Sequence, residues 1–532
     1  MKEKNKKGVC IIKVLLLPVF LLSFSNLLFS LQFVNTYSGY LNEAGYSIKQ
    51  TSDGGYIVAG TTNSFGAGNY DFLIIKLTNN GEVEWAKTIG GGNAETPTWN
   101  IEIIQTSDGK YLMGGHTYSW GSPDYGCAIV SKLDENGNHL WTRIFTSNSL
   151  ESFGGIMELS DGYLVIGETY SGGMSFFLAK LNFDGNLIWQ KKMDVLSWEL
   201  PWGLTPTQDG GFVFCGLSSS SGGYSDIIVA KFDQNANAQW VKTFGTSDKD
   251  EAYWVSQTSD GGYICISGIR LINGPIGYIV SKLDANGNHL WSKELVNITI
   301  LRPRIIESPL GGYLLTCRIN DKFGVLKLNS DGTFAWAKTI SPENATGFAA
   351  GITITSDGGF IVTGRIGEDL AVVKFDQDEK TCLEEPLTIT VNDLSFTAVS
   401  TTPTFPNVSL YSSANPTITT PSILPSNKCL VGGEEDDTPP SKDKNLTIKP
   451  ILLNVPTFIK DKISLKFSGY SEQKLKIILC DISGNEIISK SYPFTYSIDI
   501  KGEKIKKLKK GIYFLKIYSG EKEIGNFKII KK

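Results

Sequence analysis

Between residues 53 and 357 the chain returns seven times to one short phrase, most fully Thr51-Ser52-Asp53-Gly54-Gly55-Tyr56, at intervals of about fifty residues. A period of this size marks an array of supersecondary units, each too small to bury its own apolar face, so neighbours must stack to make a core. It also moves the functional question from a single motif to a repeated surface.

Each repeat reads as four short strands, in the first case Ser47 to Gln50, Tyr56 to Gly60, Asp71 to Leu77 and Val83 to Ile89. Asp-Gly separates the first two, and Asn-Gly or Asp-Gly the last two (Asn80-Gly81, Asn136-Gly137, Asp184-Gly185, Asn286-Gly287, Asp331-Gly332). These are strong hairpin turns, because glycine accepts positive φ. The third strand ends in Lys-Leu or Lys-Phe every time, at Lys76, Lys132, Lys180, Lys231, Lys282, Lys327 and Lys374. Nine residues after each of the first six stands a tryptophan: Trp85, Trp141, Trp189, Trp240, Trp291, Trp336. A spacing that never varies makes the hairpin a rigid module whose indole packs against the next sheet.

The seventh repeat has Leu383 where that tryptophan belongs, but Phe33-Val34-Asn35-Thr36-Tyr37-Ser38-Gly39 matches the strand that begins at Trp85. An N-terminal strand that completes the last sheet removes the open edge of the array. The reading is therefore an all-β fold: a seven-bladed β-propeller over residues 32–378, closed by the N-terminal strand with Phe33 outermost, plus a small C-terminal β-sandwich. The pattern resembles a family of secreted bacterial propeller proteins whose blades read T-x-D-G-G-Y, then V-x-G-x-T, then K-L-D-x-N-G-x-x-W. The resemblance spans about two thirds of the chain and implies a fold, not an activity. The sixth repeat departs from it with Pro309-Leu310-Gly311-Gly312, and the second and third lack the second glycine.

In a 532-residue chain, 41% hydrophobic residues with 56 glycines, 11 tryptophans and 21 tyrosines fit a strand-rich, turn-rich globular protein. Residues 1–30 read as a signal peptide, with lysines at 2, 4, 6 and 7 before the apolar run Val14 to Phe29, so export is expected with no stable membrane span after its removal. The competing reading is a retained anchor. Cys127, Cys215, Cys265 and Cys317 read as small buried thiols, whereas Cys382 and Cys429 flank a loop-rich exported segment and are expected to form a disulfide.

In a four-stranded blade two turns share one end and two longer connections share the other. The length variation sits at the second end, where binding usually resides. There an acid recurs with an aromatic close behind: Glu43 with Tyr46, Glu95 with Trp99, Glu151 with Phe153, Glu199 with Trp202, Glu251 with Trp254; Trp120 and Trp198 lie in neighbouring loops. These residues are expected near the mouth of the central channel, to hold a protein or glycan partner. The plainer reading is that each glutamate satisfies loop amides and each aromatic fills a gap between blades.

Three histidines, no Ser/His/Asp set and no zinc-like cysteine pattern give no catalytic constellation, no metal site and no cofactor. The Asp134-x-Asn136-Gly137-Asn138 run lacks the acidic twelfth ligand of a calcium loop. The expected function is non-enzymatic binding by a monomeric protein; the alternative is a surface carbohydrate-active enzyme, a hydrolase or lyase using carboxylates on the variable face. The acidic propeller disfavours nucleic acid as a partner.

Residues 379–432 read as a Ser/Thr/Pro-rich β appendage and 433–445 as an acidic linker. From Leu446 to Lys532 there are 18 lysines against 8 acids, in short alternating strands. The Asp481-to-Gly484 and Gly511-Ile512-Tyr513 turns resemble the C-terminal sorting domain of type IX secretion, although Leu453-Asn454-Val455-Pro456 replaces the usual Y-P-N-P opening. That resemblance implies an address read by an outer-membrane translocon, and a product released or held at the cell surface.

Overall fold

The computed structural model describes residues 32–431 and 451–531 apart from short stretches, among them 97–99, 121–124, 194–198, 220–224, 271–275 and 401–410. The expected signal peptide lies outside the described residues. The chain divides into two compact units, Met1–Gly433 and Glu434–Lys532.

Among the described residues the first unit is all-β and carries seven antiparallel sheets. The first sheet runs Glu43–Gln50, Tyr56–Thr62, Asp71–Leu77, Val83–Gly90 in chain order. Its second and third strands are buried along their whole length, which is why they read as continuous apolar runs. Both of their faces are covered, whereas the fourth strand alternates between buried and open positions. The leading strand Glu43–Gln50 packs on Gly347–Ile354, Phe360–Ile366 and Asp369–Phe375 of the seventh sheet, and the leading strands of the later sheets pack on the sheet before them. In the seventh sheet the fourth strand is Gln32–Ser38, antiparallel to Asp369–Phe375 with Phe33 opposite Lys374 and Tyr37 opposite Leu370.

The repeated phrase has a local cause. Gly54 takes φ 84°, and the Asp53 carboxylate accepts from the Thr51 hydroxyl and the Gly55 amide, at 2.5 and 2.9 Å. The same carboxylate receives Lys76 Nζ at 2.9 Å from the end of the third strand. Lys132–Asp108, Lys231–Asp209, Lys282–Asp260 and Lys374–Asp357 repeat the pair at 2.8–3.2 Å. Each lysine is buried and so requires its partner.

The constant Lys-to-Trp spacing has a cause between sheets. A Cβ on Gly137 would stand 2.7 Å from the Trp85 ring, and one on Gly185, Gly287 or Gly332 equally close to Trp141, Trp240 or Trp291 of the preceding sheet. The hairpin glycine thus serves twice, by its positive φ and by leaving room for an indole. Phe33 holds the same position over Gly81 of the first sheet, at 2.9 Å from such a Cβ, while the Tyr37 hydroxyl donates to the Gly81 carbonyl at 2.6 Å.

Residues 384–431 do not gather into a compact appendage. Glu384–Leu387 pairs with the sixth sheet, Thr390–Leu394 with the fifth, Val399–Ser400 with the fourth, Tyr411–Ser413 with the second, Thr417–Thr419 with the first, and Leu424–Val431 with Gln32–Ser38. The described strands of this segment therefore follow the sheet order backwards, and among the described residues a short outer strand lies on six of the seven sheets. Pro386 and Pro425 fit strands at an edge, where a missing amide leaves no ladder bond unmade.

The second unit has a sheet of Ile451–Asn454, Lys462–Ser468 and Ser497–Lys501 and another in the order Phe458–Ile459, Lys522–Lys531, Gly511–Ser519, Leu475–Cys480, Glu486–Tyr492. Ile477, Leu479, Leu515 and Ile517 are buried in it. The Tyr513 hydroxyl donates to the Lys509 carbonyl at 2.9 Å, closing the turn before Gly511.

Candidate binding site where the leading strands converge

The three described glutamates that open leading strands are consumed within their own sheets. Glu43 stands opposite Thr62, Glu95 opposite Thr117 and Glu151 opposite Thr169, and each threonine hydroxyl donates to its glutamate, at 2.8, 3.0 and 3.5 Å. The Gly39 amide adds a bond to Glu43 at 2.6 Å and the Ser147 amide one to Glu151 at 2.8 Å. All three side chains are fully buried, and burial raises all three pKa values, Glu95 to about 8 with Asp71 beside it adding to the rise. Glu251 accepts from the Tyr253 hydroxyl at 2.6 Å, and Trp120, half-buried, packs against the core between the first two sheets. Trp99, Trp198 and the Glu199 side chain lie outside the described residues.

The aromatics behave differently. Tyr46 of the first sheet, Trp202 of the fourth and Trp254 of the fifth line one hollow together with Tyr253, Asn100, Pro303 and Arg304. Trp202 and Tyr253 meet edge to face at 6.0 Å, and Tyr46 leans on Phe348 at the same separation. The hollow has a volume of about 20 Å³, room for a water or two. A larger one, about 310 Å³, opens at the turn end between the third and fourth sheets beside Asp161 and Lys180, where the third repeat lacks its second glycine and turns more tightly.

The floor of the aromatic hollow carries charge. The Arg304 guanidinium, on the approach to the leading strand of the sixth sheet, lies 3.9 Å from the Trp254 ring centre and donates from Nη1 to Glu102 of the second sheet at 3.4 Å. Both partners are buried. Lys49 of the first sheet joins them electrostatically: burial lowers its pKa, Glu102 opposes that and Arg304 adds to it. Arg304, Glu102 and Lys49 belong to no motif of the sequence. Their only signal is that Arg304 stands six residues before Leu310, as Trp254 stands six before Asp260.

A secretion system C-terminal sorting domain matches residues 456–532, and a β-propeller domain of unknown function matches residues 51–84. No curated protein matches the chain. Among solved structures, a protein of unknown function from Bacteroides caccae is 12% identical with a TM-score of 0.33, over 49% of this chain and 90% of that one. A putative 6-phosphogluconolactonase from Bacteroides uniformis is 13% identical with a TM-score of 0.35, over 68% and 99%. A Synechocystis apocarotenoid oxygenase variant is 12% identical with a TM-score of 0.36, over 68% and 96%.

Sheets, repeat and tail define an all-β protein of the β-propeller class that carries a type IX sorting domain. The sorting domain places it in the secreted or cell-surface fraction and gives it the secretion machinery as a partner. Among the described residues no helix is long and apolar enough to cross a membrane.

Proposed function

We propose that the protein is an exported, non-enzymatic receptor: a seven-bladed propeller, closed by its N-terminal strand, that binds a glycan or protein partner through the face bearing the long connections. Closure is supported by Phe33, which does for Gly81 what the tryptophans do for the glycines of later sheets. It is also supported by the Ser356 amide of the seventh sheet, which donates to Gln50 of the first at 2.7 Å, as Ser52 donates to Gln105. A Cys382–Cys429 disulfide would tie the outer strands to this closing blade. Cys429 pairs with Val34, and Cys382 packs in the cluster that contains Val34.

The observation that carries the binding role is the hollow at the convergence of the leading strands, where rings from the first, fourth and fifth sheets share one mouth. Flat aromatic faces grouped around a small opening suit the apolar face of a sugar ring better than an extended peptide. The test is a glycan array probed with the secreted protein and with Trp202→Ala and Trp254→Ala variants that melt like the parent. Loss of the wild-type signals in either variant supports the reading; identical profiles in all three remove the aromatic mouth from it.

A further inference from the structure

We infer that the hollow accepts the carboxylate of a uronic acid residue, with Arg304 as the residue that recognises it. This rests on the proposed receptor function and names the class of glycan. A guanidinium has five N–H donors in a planar fork that matches a carboxylate. Among the described residues the Arg304 side chain makes one hydrogen bond, the 3.4 Å contact to Glu102, and this buried group lines the hollow. Trp254 holds the guanidinium plane from one side, so the fork is fixed in orientation before any ligand arrives.

Size decides what enters. About 20 Å³ admits a group of the dimensions of a carboxylate head and excludes a sugar ring. The ring must then remain outside it, among the aromatic residues Tyr46, Trp202 and Tyr253 that line the hollow. A ring outside and an acid inside is the shape of a hexuronate, whose carboxyl projects from the ring carbon. An acidic peptide supplies the acid but no ring for the rim, and a neutral glycan supplies the ring but leaves the fork unused.

The experiment is titration calorimetry of the full secreted protein with tetragalacturonate and with its fully methyl-esterified form, which keeps the rings and removes the charge; a glucuronate oligomer and oligoglutamate complete the set. A guanidinium–carboxylate contact predicts at least roughly tenfold tighter binding of the uronates than of the ester. Arg304→Gln should abolish that difference. Because Arg304→Gln strands Glu102, the Glu102→Gln/Arg304→Gln double variant, which keeps a neutral hydrogen-bonding pair, is measured beside it with thermal melts of both. Glu102→Gln alone should tighten uronate binding by freeing the fork. Equal affinity for acid and ester, or a preference that survives the double variant, overturns the uronate assignment and leaves the receptor reading intact. Binding of oligoglutamate in preference to every sugar overturns the assignment too, as does an absence of binding to all four probes, while the receptor reading is decided by the glycan array.

Discussion

Lys327 Nζ of the sixth sheet stands 2.5 Å from Glu379 Oε1, a carboxylate supplied by the hairpin turn of the seventh. Every other lysine at this position for which an ion pair is described uses the aspartate of its own sheet's first turn. In the sixth repeat that residue is Leu310, 59% exposed, and the ammonium would be stranded without Glu379. Glu379 occupies the position that glycine holds in other repeats, with φ 59°, and its second oxygen accepts from Trp336 Nε1 at 3.0 Å. The substitution of one repeat is answered by the next.

That relationship makes a reciprocal prediction. Glu379→Gly relieves the left-handed backbone but leaves Lys327 buried and unpaired, at a cost of about 1–3 kcal/mol. Adding Leu310→Asp rebuilds the local pair of the other sheets and should recover most of the loss. Chemical denaturation of parent, single and double variants checks it; a double variant no more stable than Glu379→Gly would show that the lysine does not need the charge.

Phe33 is fully buried between the seventh sheet and Gly81 of the first. Phe33→Ala should destabilise the propeller by about 3–5 kcal/mol, as for other large core truncations. Deletion of residues 32–38 removes the partner of both Asp369–Phe375 and Leu424–Val431. Two open strand edges should drive aggregation, visible by light scattering; a deletion variant that stays monomeric and melts like the parent would tell against the proposed closure.

The parts of this fold that can be read in the chain are those whose partners lie at fixed separations. Lys76 and Asp53, or Trp85 and Gly137, recur at repeat spacing, so one alignment exposes them all. The outer strands are opaque for the opposite reason: Thr417–Thr419 and Tyr411–Ser413 are three residues each, too short for periodicity, and pair with strands more than 250 positions earlier. For the acids of the leading strands the plainer reading covers the loop amides of Gly39 and Ser147, but nothing local says that Thr62 or Thr117 faces them. Arg304 is opaque because its partner Glu102 is 202 residues away.

Asp71 and Glu95 bring two buried carboxyls together between the first and second sheets: a Cβ on Gly90 would touch both, at 1.5 and 2.8 Å. Burial, with Asp71 adding to it and the Ser119 hydroxyl opposing, raises Glu95 to about 8, so the folded protein keeps a proton there at neutral pH that the unfolded chain releases near 4.5. The stabilisation is whole below about pH 4.5, declines as pH rises, by up to about 1.4 kcal/mol per pH unit, and is gone above the folded value. Glu168, raised to about 7 by burial, acts in the same direction. Unfolding free energies at pH 5 and pH 8.5 should therefore fall for the parent and fall less for Glu95→Gln. Parallel profiles for the two would place the titration elsewhere.

The terminal unit tests export separately from folding. Residues 434–532 form their own compact unit, and the sorting-domain match lies inside it. A chain ending at Gly433 keeps every strand of the seven sheets, including the outermost Leu424–Val431, so its melting temperature should equal that of the first transition of the full protein. Its location should change: fractionation of a type IX-competent host should find it retained in the periplasm, with the full chain outside. Fusion of residues 446–532 to an inert periplasmic reporter should export the reporter, and this arm distinguishes a sorting role from an adhesive one. A truncated propeller that still reaches the medium in full yield would show that the address lies elsewhere in the chain.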